Sequence, residues 1–317
     1  MNNINLNIFL KKDDDLLKKN NITSIVWLLI HFILILFSYI FVIISTNIFF
    51  LVTALIFLGL FSSFTGLTGA AHEFYHNSVF TNKSVNKIIY RILLFFNLIN
   101  YDYNSVSHKI HHAHNSDDEK DSEKTIEKIT LLDLFFLFTI NLPSLLSRIK
   151  YLILNSLNIF PKTVVNSYIS DNLKLKIKNT ARTILIIHIL IFIFISNFLN
   201  FYYYFLLFIA PFTFNFLSNM IGRAQHYQLE HNSNDTFKNT RTIRMNFLLE
   251  FLNWNMNYHI EHHINPAIPF YNLPKFHKQI RERVGNDIVH TKSFNRDGIV
   301  NFIILILRDN FLLKKFI

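Results

Sequence analysis

Residues 22–44 read ITSIVWLLIHFILILFSYIFVII, an apolar run that contains no Asp, Glu, Lys or Arg. About 20 apolar residues are the length that an α-helix needs to cross a bilayer. Three further uncharged apolar runs occupy residues 48–70, 183–200 and 201–221. We therefore predict an all-α membrane protein with four transmembrane helices, in which Pro211 kinks the fourth.

The four predicted spans pair into two hairpins, because residues 45–47 and the stretch around Ser196 and Asn197 are short uncharged links. Basic residues flank the opposite ends of the spans: Lys11, Lys12, Lys18, Lys19, Lys83, Lys87, Arg91, Lys174, Lys176, Lys178, Arg182, Arg223, Lys238, Arg241 and Arg244. The positive-inside rule then places both termini in the cytoplasm. It also predicts that the polar segments 71–130 and 222–300 form a cytoplasmic helical cap.

Two shorter apolar runs, residues 88–99 and 131–142, are too short to span and are predicted to lie in the membrane interface or to re-enter the membrane. Residues 299–317 are predicted to form an interfacial amphipathic helix. The chain divides into a cytoplasmic N-terminal segment (1–21), an integrated transmembrane and cap domain (22–285) and an interfacial C-terminal tail (286–317).

The chain has 317 residues, a net charge of +10 and no cysteine. The missing cysteine excludes disulfides, thiolate nucleophiles, iron–sulfur clusters and zinc sites built from cysteine. The basic residues lie beside apolar runs rather than in an arm interleaved with aromatic residues. This pattern is typical of a protein that faces anionic lipid, and it argues against a nucleic-acid partner.

Eight of the 15 histidines fall in three clusters with helical spacing. The clusters are His72 and His76; His108, His111 and His112; and His259, His262 and His263. Residues three or four positions apart share one face of a helix, so each cluster presents its imidazoles in one direction. The predicted topology puts all three clusters on the cytoplasmic side, where they can converge on metal ions such as iron or zinc.

A ninth ligand is predicted at His226, shortly after the fourth span, with His231 as the competing candidate. Metal-bound histidines usually donate their second ring nitrogen to a nearby acceptor. The candidate carboxylate acceptors are Glu73, Glu261, Asp117, Asp118 and Asp121.

Two other functions fit part of this pattern. The segment His72-Glu73-Phe74-Tyr75-His76 matches the HExxH motif of zinc proteases, in which the glutamate is the general base. A catalytic zinc site needs three protein ligands, which leaves most of the clustered histidines unused. A metal transporter would place its ligands in broken helices at mid-membrane, whereas these clusters lie outside the spans.

The segments 72–76, 108–112 and 259–263 resemble the three histidine boxes of membrane fatty acid desaturases. Residues 257–266, which read NYHIEHHINP, are similar to the corresponding run of bacterial acyl-lipid members. The resemblance covers roughly residues 60–285 of this chain.

This resemblance implies a four-span stalk with a cytosolic cap. It implies two non-haem iron ions held by the eight box histidines and by one further histidine, which corresponds to His226. It also implies O2 as oxidant, a lipid acyl chain as substrate and a separate electron carrier of the ferredoxin, rubredoxin or cytochrome b5 type. Some relatives hydroxylate or ketolate hydrocarbons or carotenoids, so that alternative stays open.

Overall fold

The computed structural model describes residues 14–123, 129–165, 169–233, 235–284 and 298–307. Within these ranges the chain is helical and forms no β-strand, and Ile140 makes an isolated antiparallel bridge with Thr213. The helices of the first half are α1 (Asp14–Leu17), α2 (Asn21–Ile44), α3 (Ile48–Ser63), α4 (Ala70–Tyr75), α5 (Lys83–Phe96), α6 (Tyr101–Ala113), α7 (Leu131–Phe138), α8 (Leu142–Ser156) and α9 (Lys162–Val165). Those of the second half are α10 (Asp171–Phe198), α11 (Phe201–Ile209), α12 (Phe216–Ala224), α13 (Thr236–Asn239), α14 (Phe247–Leu252), α15 (His259–Ile264), α16 (Leu273–Val284) and α17 (Gly298–Leu307), with 3-10 turns at Ala210–Phe212 and Phe270–Asn272.

Two stretches, Asp15–Ile44 and Asp171–Phe198, are long and apolar enough to cross a membrane, by length and composition alone. They contain the predicted first and third spans. The shorter apolar helices Ile48–Ser63 and Phe201–Phe212 stand where the second and fourth spans were predicted. All four expose large apolar side chains, among them Phe32, Phe37, Phe49, Phe57, Ile189, Phe194 and Phe205.

Helix α3 ends at Ser63, short of the predicted end at residue 70. The chain turns here, and the N–H of Ala70 donates to the carbonyl oxygen of Phe64 at 3.0 Å. A Cβ atom on Gly69 would lie 2.3 Å from that same oxygen, so the turn requires glycine. The turn leads directly into α4, which carries the first histidine cluster.

The predicted fourth span is interrupted at Pro211, where α11 ends in a 3-10 turn and an irregular stretch precedes α12. Proline lacks an N–H donor and cannot continue the helical hydrogen bonds. The segment before α8 satisfies the backbone groups that this break releases. Asn141 N–H donates to Phe212 O and Phe214 N–H donates to Thr139 O, each at 2.7 Å. The expected kink is therefore a break between two helices.

Close contacts fix the first hairpin to the rest of the molecule. Gly59 of α3 lies so near the break that an added Cβ atom would be 2.1 Å from the carbonyl oxygen of Thr213. On α2, the indole Nε1 of Trp27 donates to the carbonyl oxygen of Phe251 at 3.1 Å. Phe251 belongs to α14, so α2 also holds the element that precedes the third histidine cluster.

The two shorter apolar runs form helices as well. Residues 88–99 fall mostly in α5, and residues 131–142 fall mostly in α7. Their exposed apolar side chains include Ile88, Ile92, Leu131, Leu132, Phe135 and Phe138. The position of both helices relative to a bilayer interface stays a prediction.

Helix α17 is the described part of the predicted C-terminal helix, and residues 308–317 lie outside the described residues. Phe302 and Ile306 are buried in an apolar cluster that includes Ile221 of α12. Val300 on another face is exposed. One face of α17 is thus attached to the helix that leads to His226.

Candidate metal centre

Helix α4 carries the first histidine cluster and is held in place by its apolar face. Ala71 and Phe74 are fully buried in the core that also contains Trp254. His72 lies within the helix, and His76 caps its C-terminus. The centroids of the two imidazole rings are 5.3 Å apart, as expected for one helical turn.

Helix α6 carries the second cluster and begins at a side-chain cap. The Asn100 side chain accepts from the N–H groups of Asp102 and Tyr103, both at 3.2 Å. Such a cap satisfies N–H groups that have no partner within the helix. Asn100 Nδ2 also donates to the carbonyl oxygen of Ile177 at 2.8 Å, which fixes α6 against α10.

Helix α15 carries the third cluster and is held through a buried glutamate. Glu261 is fully buried, and its carboxylate accepts from Thr242 Oγ1 on one side. On the other side it accepts from His277 Nδ1 at 2.6 Å. Glu261 therefore connects α15 to the rest of the protein, and the hydrogen bond from His277 holds the Glu261 side chain in place.

All nine predicted ligands meet in two groups. The first imidazole group consists of His72, His76, His108, His112 and His262, and the second imidazole group consists of His111, His226, His259 and His263. Within each group the candidate ligand atoms all lie within 4.8 Å of one another. The second and third sequence clusters each contribute to both groups.

In the first imidazole group the Nε2 atoms converge. His72 Nε2 is 2.9 Å from His262 Nε2. His108 Nε2 is 3.1 Å from the Nε2 atoms of both His76 and His112. A contact of this length between two unprotonated nitrogens is repulsive unless a cation lies between them.

In the second imidazole group the Nε2 atoms converge in the same way. His259 Nε2 is 3.1 Å from the Nε2 atoms of both His226 and His263. The ring of His263 stacks on that of His112, with centroids 4.5 Å apart. The two groups therefore adjoin.

Backbone carbonyls fix the tautomer of two rings. Nδ1 of His72 donates to the carbonyl oxygen of Leu67, and Nδ1 of His226 donates to that of Asn239, both at 2.9 Å. A carbonyl oxygen can only accept, so the proton is on Nδ1 and the Nε2 lone pair faces the group. This is the arrangement of a metal-binding histidine.

Carboxylates hold two more rings. Asp121 Oδ2 lies 3.0 Å from His111 Nδ1. Asp121 is one of the candidate acceptors that the sequence predicts for such a ring nitrogen. Glu123 Oε2 lies 2.9 Å from His108 Nδ1, and the sequence did not single out Glu123. No helical spacing relates Glu123 to His108, because the chain leaves α6 between them.

The other acidic candidates differ in their positions. Glu73 Oε1 lies 3.5 Å from Nδ1 of His262, within reach of a ligand ring. Asp118 Oδ1 instead lies 3.0 Å from Nδ1 of His231 at the surface. Asp117 Oδ1 accepts from two backbone N–H groups in its own turn and contacts no ring of either group.

Burial lowers the pKa of most of these imidazoles, and neighbouring histidines lower it further. For His226, burial and the charge of His111 lower the pKa to about 3. His111 differs: burial lowers its pKa, but the hydrogen bond to Asp121 and nearby carboxylate charge outweigh this and raise it overall. Neutral imidazole, the form that binds metals, therefore dominates the site.

A buried arginine positions His226 at the end of α12. Arg241 is 3% exposed and donates to the carbonyl oxygens of Ala224 at 2.8 Å and Tyr227 at 3.2 Å. Arg241 thus satisfies carbonyl groups at the end of the helix. The sequence instead places Arg241 among the basic residues that flank the spans and face lipid. His231, the competing ninth ligand, lies outside both imidazole groups.

The surroundings of Glu73 do not suit the general base of a zinc protease. Its side chain is fully buried and accepts from Ser78 Oγ at 2.6 Å. Burial raises its pKa to about 8, opposed by the Ser78 hydrogen bond. It faces the Nδ1 side of His262, whereas the metal-binding atoms converge at Nε2.

Two adjoining cavities reach the centre. One of about 330 Å³ is lined by five ligand histidines: His72, His108, His111, His226 and His259. A second cavity of about 270 Å³ shares Leu67 and Glu123 with the first, and carbon atoms make up most of its exposed wall surface. A larger cleft of about 1210 Å³ opens beside His76 and has several basic residues on its walls.

Comparison with known proteins agrees with this arrangement. The model of the fatty acid desaturase family matches residues 46–294, which is most of the chain and includes all nine histidines. No curated protein matches the sequence. The resemblance found in the histidine boxes is confirmed, and the chain belongs to the fatty acid desaturase family.

Proposed function

We propose that this protein is an O2-dependent di-iron enzyme that introduces a double bond into a lipid acyl chain. The observation that carries the proposal is the convergence of nine imidazoles in two adjoining groups. Four and five nitrogen ligands suit two metal ions better than one. Zinc has no redox chemistry, so removal of hydrogen from a methylene group implies iron.

Iron held by the two groups would activate O2. The O2 is reduced to two water molecules by the two hydrogens that leave the chain, two electrons from a carrier and two protons from solvent. The protein itself orients the substrate and excludes bulk water. The mostly apolar walls of the 270 Å³ cavity support this role, since they suit a hydrocarbon. The absence of cysteine supports a separate carrier, because the chain cannot hold an iron–sulfur cluster of its own.

We further propose that the protein is a multi-pass membrane protein with its metal centre on the cytoplasmic side. The two long apolar helices and the exposed apolar side chains around them support this placement. The break at Pro211 is compatible with a membrane segment, because its backbone groups are paired with neighbouring protein. An acyl chain could then enter from the bilayer.

The first test is expression of the full chain in a host that lacks desaturases, followed by mass spectrometry of the lipids. We expect acyl chains that have lost two hydrogens. A product that has gained an oxygen atom would instead indicate hydroxylation by the same centre. Unchanged lipids together with zinc in the purified protein would contradict the proposal and favour a zinc hydrolase.

Matched histidine variants make this test specific. We expect His262→Ala to abolish the product and to lower the iron content, because it removes a ligand from the first imidazole group. His231→Ala should retain both, because His231 lies outside the two groups. Full activity of His262→Ala would remove that residue from the metal site.

A further inference from the structure

The 270 Å³ cavity is lined by one face of α8. Arg148, Tyr151, Leu152 and Asn155 all contribute to its wall. Their spacing of three, four and seven residues places them on the same side of a helix. The rest of the lining consists of the aliphatic residues Leu67, Leu98 and Ile99 and the polar residues Asn100, Tyr103, Asn104, Ser107 and Glu123. Leu67 also lines the cavity beside the imidazoles.

Asn155 is a polar residue without a polar partner in this wall. The residue is 1% exposed, and within the described part of the chain neither its Nδ2 nor its Oδ1 has a hydrogen-bonding partner. Buried side-chain amides in folded proteins are almost always paired. An amide that remains unpaired beside a cavity is available to a ligand.

Arg148 stands two helical turns before Asn155, and within the described residues it makes one hydrogen bond to protein. Its Nη1 donates to the carbonyl oxygen of Asn97 at 3.4 Å, and its guanidinium lies 5.4 Å from the ring centroid of Phe212. A guanidinium has five N–H donors. Burial lowers its pKa to about 10, so it is still charged at neutral pH.

We propose that Arg148 and Asn155 bind the carboxyl-derived oxygen of the substrate, either a free carboxylate or an ester carbonyl. The hydrocarbon chain then runs past Leu67 and Glu123 toward the imidazole groups. This inference rests on the proposed function and adds to it the residues that recognise the polar end of the chain. The charged guanidinium and the neutral amide together match an oxygen acceptor, and the aliphatic side chains of Leu67, Leu98 and Ile99 match methylenes.

Binding of defined probes to the purified, iron-loaded protein in detergent tests this assignment without turnover. The probes are palmitic acid, methyl palmitate and hexadecane, which share one chain length and differ in the oxygen group. We expect the wild type to prefer the two oxygen-bearing probes. Arg148→Met should weaken their binding by about tenfold or more, since a hydrogen bond to a charged group is lost, and should leave hexadecane unaffected. A larger loss for the acid would assign a free carboxylate, and equal losses would assign the carbonyl.

Two further variants separate recognition from structure. Lys150→Met removes an exposed cation from the same helix and should change no affinity. Asn155→Leu should lose the preference for oxygen-bearing probes while its Tm stays equal or rises, because the amide has no hydrogen bond to lose. A large fall in the Tm of Asn155→Leu with unchanged probe preference would assign Asn155 a purely structural role.

The remaining outcomes are equally distinct. Equal preference for all three probes in the wild type, or unchanged preference in Arg148→Met, overturns the inference and leaves the proposed function intact. Lower iron content of Arg148→Met with unchanged preference would mean that Arg148 balances the charge of Glu123 and does not bind substrate. If the wild type binds none of the probes, the proposed function itself fails.

Discussion

Each imidazole of the centre uses its two nitrogens differently. Nε2 points into an imidazole group, while Nδ1 of several rings faces an acceptor such as Leu67 O, Asn239 O or the Asp121 carboxylate. These acceptors restrict ring rotation and decide which nitrogen carries the proton. The orientation and protonation of these rings therefore depend on residues outside the two imidazole groups.

The unequal size of the two groups gives a first prediction. His76→Ala would leave four imidazoles in the first group, whereas His263→Ala would leave three in the second. We expect both variants to be inactive but His263→Ala to lose about one metal ion per chain, with a smaller loss for His76→Ala. Metal analysis of the purified variants measures this, and equal loss would show that the two groups do not bind separately.

The Asp121 carboxylate gives a second prediction. Asp121→Asn keeps the shape of the side chain but removes the charge beside His111 Nδ1. We expect metal affinity or activity to fall about 10–100-fold. Asp117→Asn is the matched control, since the Asp117 carboxylate contacts backbone N–H groups and the exposed Lys120 side chain in its own turn and lies outside both imidazole groups. Similar losses in both variants would argue that the effect is a general one on this loop.

The sequence could predict the nine imidazoles because helical spacing and topology bring them to one side. It could not predict how they divide between two groups. His111 and His262 join the group opposite to that of their nearest helical partners, and this depends on the relative rotation of α6 and α15. The contact between Glu123 and His108 could not be predicted either. A turn after α6 brings Glu123 back to His108, and helical spacing does not describe such a turn.

At the scale of elements, hydropathy located the apolar segments but not their ends. α3 stops at Ser63 because the turn around Gly69 satisfies the backbone before residue 70. The fourth apolar segment contains Pro211, and its break is stable because Thr139 and Asn141 supply hydrogen bonds from a distant part of the chain. Such partners are tertiary contacts, which local composition does not reveal.

The contact between α3 and this break gives a third prediction. Gly59→Ala adds a Cβ atom that would lie 2.1 Å from the carbonyl oxygen of Thr213, so the helix must move away. Overpacking of this kind costs about 1–3 kcal/mol of unfolding free energy. The Tm of the purified protein should fall, while Ile56→Ala on the exposed side of α3 should change it much less. An unchanged Tm in Gly59→Ala would mean that α3 is not tightly packed there.

At the scale of the whole molecule, the apolar helices and the segments that carry the histidines form one connected structure. The connections between them run through specific contacts, such as Trp27 with Phe251 and Asn100 with Ile177. These contacts join helices that are far apart in sequence to the segments that carry the histidines. The centre therefore depends on the whole fold and not on one local motif.

The proposed topology gives a fourth prediction, which the missing cysteine makes simple to test. Single cysteines at the exposed positions Glu119 and Lys238 should react with an impermeant maleimide only when the cytoplasmic face is accessible. A cysteine at Thr46, in the link between α2 and α3, should react from the other face. Glu119→Cys and Lys238→Cys reacting from opposite faces would contradict the proposed fold in the membrane.

Leu67 connects two parts of the molecule that have been described separately. Leu67 lines both the 270 Å³ and the 330 Å³ cavity, and its carbonyl oxygen accepts a hydrogen bond from the His72 ring. A lipid that shifts the Leu67 backbone would change the hydrogen bond that orients the His72 ring. Its binding would then alter the surroundings of bound iron before any reaction takes place. Spectra of the loaded protein, with and without an unreactive lipid, would then report occupancy in the resting state.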